Sequence, residues 1–293
     1  MSEAFGTPPG VRGSTRTVGV IGWPVTHSLS PVIYNAAFAA AELDWVYLPM
    51  PVPPGRVRAA VEGLRALGFA GANVTMPHKT ECATLLDTLS EDAASLQAVN
   101  TIVVGAERIS GHNTDVGGFE RFLRRDAGFD PGGQAALLFG AGGAARACAL
   151  ALARDGLASL SVAVRDPSRA DALRATVDGY ATEVSVIAFD DAAEAEANLV
   201  INATPLGVHG ETLPLPRLGP RVLAVDLLYR PPSTPLQEAA RRAGGAAFGG
   251  LGLLLHQAAI SFELWTGQAA PLSVMSAAAL AELAEAGTSP AAG

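Results

Sequence analysis

The sequence predicts an α/β protein with two domains, and three observations support this fold class. The chain has 293 residues, more than the roughly 100–200 residues of a typical single domain. Short apolar runs typical of buried strands alternate with helical patterns along most of its length. One of these strands leads through a glycine-rich turn directly into a helix, which is typical of parallel α/β sheets.

The first part of the chain contains the elements of one predicted domain. A helix is predicted over residues 31–42, with Ser30 as its N-cap before Pro31 at the first helical position. A second helix is predicted over residues 54–67 and ends at Gly68. The predicted strands cover residues 17–22, 45–51, 71–76 and 99–104.

A second series of elements starts near residue 135. Its strands are short continuous apolar runs, as expected for strands covered on both faces: residues 136–139, 161–164, 184–189, 199–202 and 222–226. The helix after the first strand runs to about residue 155 and is closed by Gly156, and two final helices lie near residues 252–266 and 274–285. The domain boundary is predicted near residues 117–119, and the chain returns to the first domain near Gly250.

Composition excludes several classes of function. A formal net charge of −8 argues against a nucleic-acid partner, because binding to phosphates needs clustered Lys and Arg. No apolar run approaches the roughly 20 residues of a membrane span. The N-terminus through Ser14 lacks an apolar signal core and is interpreted, like residues 287–293, as a loose tail. A cytoplasmic protein is therefore expected.

The cysteines and histidines give no sign of a metal site. Cys82 and Cys148 lie far apart and outside any CxxC pattern, so both are expected to be small buried apolar residues. The five histidines have no metal-ligand spacing. No metal is expected in the chemistry.

The glycine-rich turn after residues 136–139 predicts a dinucleotide site. It reads Gly140-Ala141-Gly142-Gly143-Ala144-Ala145, which fits GxGxxA between a strand and a helix. The first glycine permits the tight turn, the second lets the backbone approach a pyrophosphate, and the small Ala145 lets helix and strand pack closely. The helix N-terminus adds N–H donors and partial positive charge.

The end of the next strand distinguishes NADP from NAD. Arg165 and Arg169 lie there, and guanidinium groups pair well with a 2′-phosphate, which favours NADP. Asp166 stands between them and could accept a hydrogen bond from a 2′-hydroxyl, or hold one of the arginines in place. NADP is the expected cofactor, and NAD is left open.

Lys79 is the only lysine among 20 Lys and Arg residues. Unlike Arg, Lys can be tuned to gain and lose a proton, so a position that keeps Lys here is a candidate for proton transfer. Lys79 follows a predicted strand, and other polar segments also follow strand ends, at residues 28–31, 99–101 and 112–115. In open α/β sheets ligands bind beyond the carboxyl ends of the strands. Together these segments could enclose a polyhydroxylated acid.

Seven short segments occur in the order found in one known family, over roughly residues 16–286. They are HSLSP at 27–31, ANVTMPHK at 72–79, AVNT at 98–101, GHNTDVGGF at 111–119, GAGGA at 140–144, INATPLG at 201–207 and GLGLLLHQA at 250–258. In these segments the sequence resembles the shikimate dehydrogenases. The resemblance implies reversible NADPH-dependent reduction of 3-dehydroshikimate to shikimate, in the biosynthesis of chorismate and aromatic amino acids.

The resemblance also implies an architecture and site residues. Residues 15–117, completed by helices at about 252–286, would form a substrate-binding domain. Residues 118–250 would form a Rossmann-type NADP-binding domain, with a deep cleft between the two. Lys79 and Asp115 would be the catalytic acid–base pair. Substrate would be held by Ser28, Ser30, Thr75, Asn100, Tyr229 and Gln257, and the cofactor by Gly140, Ala141, Gly142, Gly143, Ala144, Arg165, Arg169, Thr204 and Gly250.

Two departures from the family and three alternatives remain. The family's cofactor turn usually reads Asn-Arg-Thr, where this chain has Val164-Arg165-Asp166, and the Asp often found before Gly250 is Gly249 here. A quinate or aminoshikimate-type dehydrogenase using NAD or NADP is the nearest alternative. A non-catalytic sensor of the acid or dinucleotide is another, and a different two-domain amino-acid or folate dehydrogenase is a third. A homodimer is left open.

Overall fold

The computed structural model describes residues 10–288. Of the two predicted tails, residues 1–9 and 289–293 lie outside the described residues. At the N-terminus, the exposed Ser14 donates a hydrogen bond to Asp44, and at the C-terminus residues 287–288 complete the last helix. The chain divides into a first unit, up to Thr114 and from Ala258 onward, and a second unit, Asp115–Gln257.

The first unit contains a six-stranded mixed sheet. Its strands are β1 (Arg16–Gly22), β2 (Trp45–Pro51), β3 (Gly71–Val74), β4 (Thr88–Leu89), β5 (Thr101–Val104) and β6 (Ile109–His112), in the order β2-β1-β3-β5-β6-β4. β1 runs parallel to β2 and β3, whereas β5 is antiparallel to both β3 and β6. The connecting helices are α1 (Ser30–Ala40), α2 (Val57–Ala66), α3 (Lys79–Ala83) and α4 (Glu91–Leu96).

The second unit contains a six-stranded parallel sheet. Its strands are β7 (Ala135–Phe139), β8 (Ser159–Val164), β9 (Glu183–Ala188), β10 (Leu199–Asn202), β11 (Leu223–Asp226) and β12 (Ala246–Gly249), in the order β12-β11-β10-β7-β8-β9. This is the 3-2-1-4-5-6 order of a Rossmann fold, with the direction of winding reversing between β7 and β10. Its helices are α5 (Thr114–Arg125), α6 (Gly143–Arg154), α7 (Asp171–Val177) and α8 (Pro235–Arg242).

Two long helices complete the chain. α9 (Leu251–Thr266) begins in the second unit and continues in the first from Ala258, and α10 (Leu272–Thr288) belongs to the first unit. No helix within residues 10–288 combines the length and apolar character that crossing a membrane requires.

The α/β prediction is confirmed, and the observed elements differ from the predicted ones in detail. Ser30 is not an N-cap: it is the first residue of α1, and the preceding Leu29 makes no side-chain capping bond. Residues 99–100 precede β5 instead of belonging to it. The predicted boundary at residues 117–119 falls inside α5, which begins at Thr114. Cys82 and Cys148 are buried free thiols, as predicted.

An aromatic cluster packs beside β2 in the first unit. Tyr34 and Tyr47 stack with ring centroids 4.4 Å apart, and Trp265 lies against both rings. Phe38 contacts Phe262 with centroids 5.5 Å apart. Because these rings come from α1, β2 and α9, they join the last part of the chain to the first sheet.

β2 lies at the edge of the first sheet, so one side of its backbone has no neighbouring strand among residues 10–288. On that side the Asn35 side chain donates to the Tyr47 carbonyl and accepts from the Tyr47 N–H, at 3.0 and 2.8 Å. Residues on the same side alternate along the strand, so Pro49 and Pro51 share it with Tyr47. The N–H of Trp45, also on that side, bonds to the Leu43 carbonyl at 2.9 Å.

Candidate active site

Lys79 is the first residue of α3, just beyond the end of β3. The segment between them is held to the sheet, because the Thr75 N–H donates to the Ile21 carbonyl at 2.9 Å. The Lys79 carbonyl accepts from the Val99 N–H at 2.9 Å, which places the lysine backbone next to the segment that carries Asn100. The Thr75 and Lys79 side chains are both half-buried. The sheet therefore brings three predicted site residues together.

Three of the five histidines make structural contacts. The ring of His78, a residue that is 1% exposed, lies with Nε2 2.6 Å from the Val52 carbonyl. His112 Nε2 lies 3.1 Å from the Ser110 hydroxyl, and burial lowers the pKa of His112. His256 pairs with Asp126 at 3.0 Å. Within the described residues, no group of three or more His, Cys, Asp and Glu side chains could hold a metal ion.

Buried polar side chains form a connected set in the first unit, which we call the amide network. Asn73 Oδ1 accepts from the Tyr47 hydroxyl at 2.7 Å, and Asn73 Nδ2 lies within 3.2 Å of Thr101 Oγ1 and Ser261 Oγ. The Thr101 and Ser261 hydroxyls lie 2.8 Å apart. All of its members are at most 8% exposed: Tyr47, Asn73, Asn100, Thr101, Thr114 and Ser261. Such a set is stable because the buried groups satisfy one another.

Asn100 connects the amide network to the start of α5. Its Oδ1 accepts from the Thr114 N–H at 2.8 Å, and its Nδ2 lies 3.0 Å from the Thr114 hydroxyl. An N–H in the first turn of a helix needs an acceptor outside the helix, and Asn100 supplies it from the sheet. Asp115 is the next residue of α5. Asn100 thereby holds Thr114, the first residue of α5, within the first unit.

Ser28 and Ser30 lie together before and at the start of α1. The Ser28 hydroxyl accepts from the Ser30 N–H at 3.2 Å, and both residues are half-buried. The pKa of the Tyr47 phenol is raised, mainly by burial and further by the neighbouring Tyr34, while a hydrogen bond with the Ser30 side chain opposes this shift. Ser30 therefore adjoins the amide network, and Ser28 lies next to it.

The remaining predicted substrate residues belong to the second unit. Asp115 lies in the first turn of α5. Tyr229 follows β11; burial raises its pKa, and the nearby Arg230 opposes the shift. Gln257 lies on α9, with Nε2 2.9 Å from the Leu254 carbonyl. All three side chains are half-buried.

The glycine-rich turn after β7 has the predicted geometry. Gly140 adopts φ +98°, which L side chains rarely reach, and a Cβ there would lie 3.0 Å from Thr204 Cγ2. A Cβ at Gly142 or Gly143 would meet nothing within 4 Å, and both residues are exposed at the start of α6. Ala145 is fully buried. The turn therefore presents open backbone at a helix N-terminus, which suits a pyrophosphate.

Thr204 is placed by buried polar groups at the ends of β10 and β11. Asn202 Oδ1 accepts from the Thr204 N–H and hydroxyl at 3.0 and 2.7 Å, and Asn202 Nδ2 donates to Asp226 at 3.1 Å. Asp226, 1% exposed, also accepts from the Thr234 hydroxyl at 2.7 Å. Burial raises the pKa of Asp226, although these hydrogen bonds oppose the shift. A Cβ at Gly250 would overlap the Leu227 carbonyl, so glycine permits the close approach there.

The cofactor turn after β8 is exposed and basic. Arg165 lies over the Phe189 ring, with Cζ 5.3 Å from the centroid. Asp166 caps the short 3₁₀ helix Pro167–Ala170, accepting from the Ser168 N–H and hydroxyl at 3.1 and 2.7 Å. These bonds, with the nearby Arg169 charge as a smaller contribution, lower the pKa of Asp166. The Asp166 carboxylate is thus engaged by Ser168.

The predicted site residues are divided between the two units. Ser28, Ser30, Thr75, Lys79 and Asn100 belong to the first unit, whereas Asp115 and the remaining predicted residues belong to the second. Sequence reasoning did not predict the supporting side chains Ser261, Asn202 and Asp226. A signal existed for two of them, because Asn202 lies within the segment INATPLG and Asp226 ends the predicted strand 222–226, shortly before Tyr229.

The chain is similar to two protein families and to individual known proteins. Residues 20–102 match the family described as the shikimate dehydrogenase substrate binding domain, and residues 250–280 match the shikimate 5'-dehydrogenase C-terminal domain. The chain is 48% identical to the shikimate dehydrogenase (NADP(+)) of Rubrobacter xylanophilus over 266 residues, which cover 88% of this chain and 93% of that protein.

Solved structures show the same likeness. The shikimate 5-dehydrogenase of Listeria monocytogenes, solved with shikimate and NAD, has a TM-score of 0.85 at 35% identity, covering 90% of this chain and 96% of that one. The quinate dehydrogenase of Corynebacterium glutamicum, solved with NAD, has a TM-score of 0.84 at 32% identity, covering 91% of this chain and 99% of that one.

Proposed function

This chain belongs to the shikimate dehydrogenase family, and we propose that it catalyses the reversible NADPH-dependent reduction of 3-dehydroshikimate to shikimate. The likeness to the Rubrobacter protein over nearly the full length of both chains carries this proposal. The reaction would serve the biosynthesis of chorismate and aromatic amino acids, in the cytoplasm. Residues 15–117 with about 252–286 would bind the substrate, and residues 118–250 the cofactor.

The second unit supports the cofactor assignment. The open backbone of Gly140, Ala141, Gly142, Gly143 and Ala144 at the start of α6 would hold the pyrophosphate. Arg165 and Arg169 would hold the 2′-phosphate, because both are exposed at the end of β8 and Asp166 is engaged by Ser168. Thr204 and Gly250 would lie beside the nicotinamide. When bound, NADPH supplies the hydride that reduces the substrate ketone.

Lys79 and Asp115 would manage the proton of the reacting hydroxyl. During reduction, negative charge develops on the carbonyl oxygen, and the Lys79 ammonium would donate a proton to it. In the oxidative direction the neutral amine would accept that proton. Asp115, in the first turn of α5, would orient the lysine.

The other predicted residues would bind the acid and its ring hydroxyls. Ser28 and Ser30, two hydroxyls at the start of α1, would donate to the substrate carboxylate. Thr75, Asn100, Tyr229 and Gln257 would hold the ring hydroxyls. Because burial raises the pKa of Tyr229, its phenol stays protonated and can donate. The amide network would keep the Asn100 side of the site rigid.

Initial rates of cofactor reduction with shikimate or quinate, each with NADP or NAD, test the proposal. Fast turnover with shikimate and NADP, and slow turnover in the other combinations, is the expected result. Preference for quinate or NAD would move the chain toward the activity of the Corynebacterium relative and leave the Lys79 and Asp115 roles standing. Binding without turnover in all four combinations would refute the proposal and favour a sensor.

A further inference from the structure

Two helices of the second unit, α5 and the first part of α9, approach so closely that glycine is required on each. A Cβ on Gly118 of α5 would lie 2.8 Å from the backbone N and 2.9 Å from the Cα of Gln257. A Cβ on Gly252 of α9 would lie 2.5 Å from the Phe122 ring and 3.1 Å from Asp126 Oδ2. Backbone cannot give way as the end of a flexible side chain can, so the Gly118 contact allows no side chain.

A polar pair between a buried histidine and an exposed aspartate joins the same two helices. His256, only 2% exposed, lies with Nε2 3.0 Å from Asp126 Oδ1. Asp126 directly follows α5, and its N–H still bonds to the Phe122 carbonyl at 3.0 Å. A buried imidazole nitrogen without a partner is costly, so this bond resists sliding of α9 along α5.

The two contacts involve the neighbours of residues assigned to the site. Gly118 lies three residues after Asp115, one helical turn away on the same face of α5. Its partner is the backbone of Gln257 itself, and His256 is the residue before Gln257. A shift at either contact therefore changes where Gln257 lies relative to Asp115.

We propose that Gly118 and the His256–Asp126 pair are positioning residues that set the distance and register between Gln257 and Asp115. The inference rests on the proposed function, in which Gln257 holds a ring hydroxyl and Asp115 acts at the reacting oxygen. A displacement of about 1 Å in such a site can lower turnover by about 10²-fold. Gly118 thus acts through the helix contact and touches no reactant.

The first test is Gly118→Ala, with Gly63→Ala as the matched control. Gly63 lies inside α2, where an added Cβ would meet nothing within 4 Å, so the same chemical change is made without a contact. Steady-state rates are measured with shikimate and with an analogue that lacks one ring hydroxyl. We expect Gly118→Ala to lower kcat/KM for shikimate at least tenfold and to reduce discrimination against the analogue, with an unchanged KM for NADP. The control Gly63→Ala should keep the kinetics of the wild type.

A second pair of variants covers the case in which Gly118→Ala does not fold. Asp126→Ala removes the partner of His256, whereas Asp126→Asn keeps an amide oxygen that can bond to the ring. Asp126→Ala should reproduce the loss of discrimination, and Asp126→Asn should restore most of it. Unchanged discrimination in both Gly118→Ala and Asp126→Ala, in enzyme that is folded and otherwise active, would overturn the positioning role. A wild-type protein without turnover would instead overturn the proposed function, and this inference with it.

Discussion

Asn73 is the residue of the amide network whose removal has the most direct structural consequence. Asn73→Ala removes the acceptor of the Tyr47 hydroxyl, which is 1% exposed, and the donor that reaches Thr101 and Ser261. The Thr101 and Ser261 hydroxyls still bond to each other at 2.8 Å, so they lose less. The main loss is the buried Tyr47 hydroxyl without its Asn73 acceptor.

Leaving one buried polar group without its partner costs about 1–3 kcal/mol. We therefore expect Asn73→Ala to lower the free energy of unfolding of the first unit by about that amount, moderated by the Ser30 side chain that also reaches Tyr47. Tyr47→Phe removes the donor instead and leaves the Asn73 oxygen unpaired. The double variant contains neither the Tyr47 hydroxyl nor the Asn73 oxygen. Its loss of unfolding free energy should therefore be smaller than the sum of the two single losses by about 1 kcal/mol.

Tryptophan fluorescence during urea unfolding measures the relevant unit directly. The three tryptophans, Trp23, Trp45 and Trp265, all lie in the first unit. Midpoints and slopes of the four transitions give the double-mutant cycle. Additive losses, with no coupling between Asn73 and Tyr47, would refute the argument that the buried hydroxyl determines the cost.

Four further predictions concern the site and its supports. Lys79→Ala should lower turnover by about 10²–10⁴-fold with an unchanged circular dichroism spectrum, and near-normal turnover would remove Lys79 from the mechanism. Ser30→Ala should chiefly raise KM for the acid, by roughly tenfold or more, because a hydrogen bond to a charged group contributes about 1.5–3 kcal/mol. A fall in kcat without a rise in KM would contradict a binding role. Arg165→Ala should raise KM for NADP by a similar factor and leave KM for NAD unchanged, and equal effects on both would exclude contact with the 2′-phosphate. The pKa of Asp226 is raised in the folded protein, so the native state binds that proton more tightly than the unfolded state and loses stability as pH rises from about 4 through the native pKa. Asp226→Asn has no carboxyl proton at this position and lacks this loss. The unfolding free energy of Asp226→Asn relative to that of the wild type should therefore increase with pH.

The sequence predicted the central parallel strands of the second sheet well, because their apolar runs are short, continuous and covered on both faces. β2 and β10 were predicted to the residue. β4, β6 and β12 were missed, because Thr88–Leu89, Ile109–His112 and Ala246–Gly249 carry no such run and are ordered by pairing with their neighbours. The turn at Gly140 was predicted because a positive φ selects glycine strongly.

The site residues could be predicted where the chemistry requires a particular residue type. Their hydrogen-bond partners could not be predicted where tertiary packing alone brings them close. Asn73 and Asn100 stand out in sequence because they are polar residues next to strand ends, within the segments ANVTMPHK and AVNT. Ser261 gives no such signal, although it lies 188 residues from Asn73 and bonds to it at 3.2 Å. That contact depends on how α9 packs on the first sheet, which no local pattern encodes. Likewise, Asp226 bonds Asn202 only because β10 and β11 are neighbours in the sheet.

The outer edge of β2 has a consequence for self-association. A strand from a second copy could extend the first sheet beyond β2 only by exchanging backbone hydrogen bonds with that edge. Of the outward positions along β2, Trp45 and Tyr47 already use their N–H groups within the chain, and Pro49 and Pro51 have none to offer. An incoming strand would find carbonyl acceptors there but no unengaged donor along residues 45–51. The β2 edge of the first sheet is thereby protected against strand addition by a second copy of the chain.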